Sequence, residues 1–223
     1  MAILSPPTQS IISSNPGYLR AKRLIDIFFS ALILLPLCIF MVMIAVLIRL
    51  DSKGPAFFRQ KRVGLNGKEF DMFKFRSMHA NCDDSVHREA IKQYMNGEAI
   101  NGHGNNPYKL IDDNRVTRVG RFIRKWSIDE LPQFINVLLG EMTLVGPRPP
   151  LPYEVEAYSL RDELRLYGKP GLTGTWQVYG RSRVNFNEMV EMDIAYLQQQ
   201  SIWQDLKLIA LTLPVMLQGR GGA

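Results

Sequence analysis

The sequence predicts a mainly α-helical chain with an associated β-hairpin, held at a membrane by an apolar segment near its N-terminus. Three observations carry this prediction. Residues 24–48 read LIDIFFSALILLPLCIFMVMIAVLI, with Asp26 the one charge. Asn66-Gly67, a strong tight-turn signal, lies between two aromatic-rich runs. The rest of the chain alternates helical hydrophobic periodicity with Gly/Pro punctuation.

The composition narrows the partners. The 223 residues are 46% hydrophobic, enough for a packed core, and carry a formal net charge of +6. That excess favours a phosphate-bearing partner or an anionic lipid surface. Two cysteines, one inside the apolar segment, leave no disulfide framework. A nucleic-acid-binding domain would suit the charge, but no recognition motif is present and a membrane segment does not suit it.

Residues 1–19, rich in Ser, Pro and Thr, are expected to be a flexible lead-in. As one helix, residues 24–48 would extend about 37 Å, longer than a hydrocarbon core of about 30 Å. Pro36 interrupts the middle, where it removes a helical hydrogen bond. Positive residues flank both ends: Arg20, Lys22 and Arg23 before, then Arg49, Lys53, Arg59, Lys61 and Arg62 after. Basic flanks stay cytoplasmic. Two arms of about 18 Å each, meeting at Pro36, would put both flanks on one side. The residues leave a spanning helix and a re-entrant one as alternatives; both keep the remainder cytoplasmic.

Residues 56–78 form the hairpin, with Lys74 and Arg76 on one strand face and Phe73 and Phe75 on the other. Lys74 and Arg76 suit either a solvated basic edge or a phosphate site. A short helix is expected at 85–95, then a long loop to 114. His79, His87 and His103 lack metal-ligand spacing and read as surface residues. Residues 118–126 form a basic amphipathic helix that either lies among headgroups or packs on the core.

Ser127-Ile128-Asp129-Glu130 fits a capping box, with Ser127 as N-cap and Trp126 and Leu131 as a hydrophobic staple. In that reading both acids merely complement a helix dipole. Paired carboxylates also hold a divalent metal and offer an oxygen nucleophile. Arg148 follows between prolines in Gly146-Pro147-Arg148-Pro149-Pro150; it is either part of a stiff connector or a forked phosphate ligand. Downstream come a charged helix at 153–167, a turn at 169–174, an extended piece at Trp176-Gln177-Val178, a helix at 186–200 and a last amphipathic helix at 202–217.

These blocks together resemble the monotopic phosphoglycosyl transferases, or bacterial sugar transferases. The matching pieces run in order over about 20–217: Lys22-Arg23 with Asp26 and the mid-segment proline; Gly54-Pro55-Ala56-Phe57-Phe58 with Gln60-Lys61-Arg62-Val63-Gly64; Lys74-Phe75-Arg76-Ser77-Met78; Arg115-Val116-Thr117-Arg118-Val119-Gly120; Ser127-Ile128-Asp129-Glu130-Leu131-Pro132-Gln133; Gly146-Pro147-Arg148-Pro149; and Lys169-Pro170-Gly171-Leu172-Thr173-Gly174. Leu35 stands where small members commonly carry serine, and Gly174-Thr175-Trp176-Gln177 replaces a common Gly-Trp-Ala-Gln.

The resemblance implies a monotopic membrane protein with a re-entrant helix broken at Pro36 and amphipathic interfacial helices. It implies a re-entrant segment at 20–50, a catalytic domain at 51–217 on the cytoplasmic face of a bacterial inner membrane, and a tail at 218–223. It also implies transfer of hexose 1-phosphate from a UDP-sugar, glucose or galactose favoured, to undecaprenyl phosphate, with UMP released, as the first membrane step of exopolysaccharide or other glycoconjugate synthesis. Asp129 would be the nucleophile and Glu130 a ligand of Mg²⁺, with Asp129 assisting and Mn²⁺ able to substitute. Lys74, Arg76, Arg124 and Arg148 would hold phosphate and nucleotide. Inner-membrane lipids are expected partners, nucleic acid is not, and self-association as a homo-oligomer is compatible. The rival from another class is a non-enzymatic adaptor binding anionic lipid.

Overall fold

The computed structural model describes residues 15–79, 85–97, 113–180 and 184–215. The lead-in up to residue 14, most of the 96–114 loop with His103, and the tail at 218–223 fall outside the described residues.

Helix α1 (Pro16–Asp51) is the longest element. Asn15 caps it by accepting from the Gly17 and Tyr18 N–H groups, and Pro16 occupies the first turn, where its missing N–H costs nothing. The helix therefore starts inside the expected lead-in. It also continues through Pro36, so the break expected there is not a loss of helix. Among the described residues it is the one helix long and apolar enough to cross a membrane, and 17% of its most apolar window is covered by the rest of the chain.

Both ends of α1 pack on the same body of protein. Near the start, Arg23 donates to the Val137 and Leu138 carbonyls, and Asp26 accepts from Thr143 Oγ1 at 2.7 Å and the Leu144 N–H at 2.9 Å. Near the end, Met41, Ile44 and Ile48 are buried with Ala56, Phe75 and Ile123. Between them Leu32, Leu35, Pro36, Ile39 and Val42 are exposed.

Strands β1 (Phe57–Val63) and β2 (Glu69–Phe75) form the antiparallel hairpin in the register Phe57↔Phe75 to Val63↔Glu69. Asn66 and Gly67 both take positive φ at the turn, as the residue types demand. Helix α2 (Ser85–Met95) has the expected bounds. Helix α3 (Arg118–Lys125) is capped by Thr117, which accepts from the Gly120 N–H. A Cβ on Gly120 would stand 2.0 Å from the Ser77 carbonyl oxygen, so only glycine lets α3 approach the end of β2 this closely. The core-packing reading of α3 holds through Ile123, which is fully buried, while Phe122 and Trp126 are exposed.

After a 3₁₀ turn at Ile128–Glu130 comes α4 (Gln133–Leu139), closed by Gly140 at φ 84°. Strand β3 (Thr143–Val145) pairs in parallel with β4 (Gly171–Thr173). Its β4 strand lies in the stretch read from sequence as a turn, and β3 was not anticipated. The two backbones meet at glycines: a Cβ on Gly146 would lie 2.3 Å from the Lys169 carbonyl oxygen, and one on Gly171 2.1 Å from the Gly146 nitrogen. Between the strands, the expected single helix at 153–167 is two pieces, α5 (Pro152–Val155) and a 3₁₀ segment at Asp162–Tyr167. The piece read as extended is α6 (Thr175–Tyr179). Helix α7 (Phe186–Gln199) opens on a capping box between Asn185 and Glu188. In α8 (Ile202–Val215), Asp205 and Leu208 face inward while Trp203 is 79% exposed. The apolar face assigned from sequence through Trp203 and Leu206 is thus largely the outer one. Trp203, Phe122 and Trp126 are the kind of exposed aromatics that settle at a membrane interface.

Candidate active site

The acid pair sits on a backbone of unusual shape. Ser127 adopts a left-handed conformation (φ 54°, ψ 23°) and its side chain caps nothing. The capping-box expectation is therefore wrong. Asp129 and Glu130 lie in a single 3₁₀ turn, and Pro132, not Ser127, precedes α4. Of the expected staple, Leu131 packs beside Ile123, whereas Trp126 is exposed. A left-handed non-glycine residue costs free energy and persists only where surrounding structure enforces it. Here it presents one acid inward and the other outward: Asp129 is buried (7% exposed) and Glu130 is half-buried.

Asn136 brings this turn to the hairpin. Its Oδ1 accepts from the Phe73 N–H at 2.9 Å, and its Nδ2 donates to the Asp71 carbonyl at 2.8 Å and to Glu141 at 2.6 Å. Asn136 is fully buried, so the three bonds tie α4 rigidly to β2. Lys74, one residue beyond Phe73, consequently faces Glu130, with Nζ 3.6 Å from Oε1.

The proline-rich loop closes the other side. Arg62 is buried; it donates to the Pro149 carbonyl at 2.9 Å and to Gln60 Oε1 at 2.8 Å. The Val63 N–H donates to the Pro150 carbonyl. Beneath the loop a buried Arg165–Asp193 pair holds α7, and Arg165 reaches the Arg148 carbonyl at 3.5 Å. Arg148 itself is half-buried. The charges converge on Lys74. Burial lowers its pKa below the usual lysine range, Arg62 and Arg148 lower it further, and Glu130 and Asp129 act in the opposite direction.

Of the residues predicted for the site, Asp129, Glu130, Lys74 and Arg148 are thus brought together. Arg76 is placed elsewhere. Its guanidinium donates to the carbonyls of Ile48, Ser52 and Lys53 and to Ser52 Oγ, closing the C-terminus of α1. The shared strand face predicted for Lys74 and Arg76 did not imply a shared task, because β2 ends at Phe75. Arg124 is half-buried, one turn before the acid pair and within electrostatic reach of Asp113.

Two residues were missed. Arg62 was read only as a basic flank; its position in a strand opposite Phe70 was a signal that it turns inward. His87 was read as a surface residue. It is half-buried on α2 with Nδ1 3.0 Å from the Tyr153 hydroxyl. Burial, then Arg148, Arg62, Arg115 and Lys74, push its pKa down to about 4. A neutral imidazole in a cluster of cations has no sequence signature.

The donor set suits Mg²⁺ shared with a substrate. Two adjacent carboxylates are present, and among the described residues no group of three or more His, Cys, Asp or Glu forms a complete metal cage. Mg²⁺ commonly takes one or two carboxylates and completes its shell with phosphate oxygens and water.

A long helix with an exposed apolar middle, beside an acid pair with Lys74 and Arg148 nearby, matches the class of membrane-associated sugar-phosphate transferases. The profile described as Bacterial sugar transferase matches residues 17–219, and the chain belongs to that family. It is 45% identical to the galactosyl transferase CpsE of Streptococcus agalactiae over 92% of this chain, and spans 44% of that relative's length. It is 36% identical to the exopolysaccharide production protein ExoY of Sinorhizobium fredii over 99% of this chain and 98% of the relative. A UDP-glucose:undecaprenyl-phosphate glucose-1-phosphate transferase of Caulobacter vibrioides is 39% identical over 96% of this chain and 78% of its own length.

Proposed function

We propose that this chain transfers hexose 1-phosphate from a UDP-sugar to undecaprenyl phosphate, in two displacements through Asp129, releasing UMP. The observation that carries the reading is the convergence of Glu130, Asp129, Arg62 and Arg148 around Lys74. Relatives named for exopolysaccharide production and for undecaprenyl-phosphate sugar transfer support it.

In the first displacement an Asp129 carboxylate oxygen forms a bond to the donor β-phosphorus while the bond to the bridging oxygen breaks and UMP leaves. In the second, a phosphate oxygen of the acceptor attacks the same phosphorus and the aspartyl bond breaks, restoring the carboxylate. Held by Glu130 with Asp129, Mg²⁺ would supply charge neutralisation of the diphosphate. Lys74 and Arg148 stabilise negative charge on the transferring group. Arg62, anchored on the Pro149 carbonyl, holds the Arg148 loop against β1. Two steps suit a soluble donor and a membrane-bound acceptor, which need not occupy the site together.

The same proposal includes a re-entrant α1. Both ends of α1 are bonded to one domain, so a spanning helix would require that domain to cross the bilayer with it. Pro36 lies in the exposed middle, where a helix turning back within the bilayer needs its weakest hydrogen bonding. The catalytic domain then lies on the cytoplasmic face of the inner membrane.

The test is UMP release by the purified chain across a panel of UDP-sugars with undecaprenyl phosphate and Mg²⁺. Release with UDP-glucose or UDP-galactose, dependent on the acceptor lipid, is expected. No UMP from any UDP-sugar, with the folded protein still binding anionic vesicles, would favour the adaptor instead.

A further inference from the structure

A second cavity, of about 290 Å³, opens beside the start of α1, and its lining shares no residue with the acid-pair cluster. Three cations line it: Lys22, Arg23 and Lys169. Lys22 is neutralised by Asp205 at 2.6 Å. The Arg23 bonds to the Val137 and Leu138 carbonyls engage neutral acceptors. Lys169 is half-buried, and among the described residues the acid that acts on its ammonium, Asp26, does so at long range without a hydrogen bond. Burial lowers its pKa, Arg23 and Lys22 add to the effect, and the charge of Asp26 opposes it. The one acid of the lining, Asp26, is already bonded to Thr143 and the Leu144 N–H. An ammonium held this way is a site awaiting an anion.

The setting identifies the anion. On the same helix, two and six residues beyond Lys22, Leu24 and Phe28 are 70% and 62% exposed, so the exposed apolar surface of α1 begins within two turns of Lys22. With α1 as the membrane segment proposed above, the cavity falls at headgroup depth, and Leu19, Leu65 and Leu197 supply apolar walls beside the cations. We propose that this cavity binds the phosphate headgroup of an anionic phospholipid, with Lys169 as its principal contact. Lys169 leads into β4, which abuts Gly146, two residues before Arg148. A seated headgroup thereby joins the membrane surface to the loop of the candidate active site.

The inference rests on membrane attachment and not on the transfer chemistry, and its test reads binding alone. The full chain in a neutral detergent is titrated with short-chain phosphatidylglycerol, short-chain phosphatidylcholine, inorganic phosphate and a short-chain polyprenyl phosphate, following the thermal midpoint. Phosphatidylglycerol should raise the midpoint and phosphatidylcholine should not. Lys169→Ala should weaken the apparent affinity for phosphatidylglycerol about tenfold, the effect of one charge-assisted contact, and Lys169→Arg should retain most of it. Arg148→Ala should leave it intact. Equal affinity in a folded Lys169→Ala protein overturns the proposal. So does inorganic phosphate acting as well as phosphatidylglycerol, which makes this a free-phosphate site, or displacement by the polyprenyl phosphate, which makes it an acceptor site. If Lys169→Ala does not fold, equal response of the unaltered chain to phosphatidylglycerol and phosphatidylcholine overturns it.

Discussion

Lys74 Nζ stands 3.6 Å from Glu130 Oε1, an ion pair without a close hydrogen bond. A lysine held loosely by one carboxylate, with two arginines nearby, can move onto a phosphate without first breaking a tight contact. The pair also puts Lys74 and the acid turn in one site through Asn136.

Asp129→Asn should abolish turnover while the protein remains folded, because an amide oxygen is a far weaker nucleophile than a carboxylate. With labelled UDP-sugar and Mg²⁺ but no acceptor, sugar phosphate should accumulate on Asp129, and EDTA should prevent it. Absence of labelled enzyme, with kinetics that require donor and acceptor together, would mean direct attack by the acceptor.

Arg148→Ala should reduce that labelling about 10- to 100-fold, since charge-assisted bonds contribute roughly 1.5–3 kcal/mol. Arg148→Lys should recover only part, because an ammonium lacks the planar fork. Full recovery by lysine would show that Arg148 acts as a point charge.

Arg76→Ala should lower stability, not donor affinity. Its loss leaves the carbonyls closing α1 without their donor, at a cost of about 1.5–3 kcal/mol by the usual worth of charged hydrogen bonds. Thermal unfolding and the donor KM decide this; a large KM increase at unchanged stability would return Arg76 to the phosphate site.

His87 carries a pH signature. Its folded pKa is pushed down to about 4 from 6.5 by burial first and neighbouring cations second. Between those values the unfolded chain binds more protons than the folded one, so this contribution is complete above pH 6.5 and is lost as pH falls toward 4. Asp193, pushed up to about 6 from 3.8 by burial, acts in the opposite sense: its contribution is present below 3.8 and lost as pH rises through 6. The measurement is therefore the difference between the unaltered chain and His87→Gln in urea unfolding at pH 7 and pH 5. The unaltered chain should lose more stability on acidification; identical losses would remove His87 from the account.

Tags placed before Lys22 and after Arg62 should both be reachable only from the cytoplasmic side. A periplasmic tag before Lys22 would leave a spanning helix.

Local signals sufficed for the elements whose hydrogen bonds close within themselves. Asn66-Gly67 set the hairpin, the apolar run at 24–48 set the long helix, and α2, α3 and α7 followed from periodicity, because turn conformation and amphipathic spacing are properties of neighbours in sequence. The acid pair and Arg148 stood out in the sequence as candidates. What tertiary structure alone decided is which side chains stand around them. Parallel pairing of β3 with β4 depends on partners some 28 residues apart, as the register Thr143↔Gly171 shows, and short strands carry no periodicity to announce it. The left-handed Ser127 is enforced by its surroundings against its own preference, so the capping motif misled. Arg76 and Lys74, two residues apart with the same chemistry, were separated by where β2 ends and α1 needed a cap. Arg62 and His87 became site residues only when a loop and a helix distant in sequence folded over them; a charge's role is set by its neighbours in space, which the order of residues does not specify.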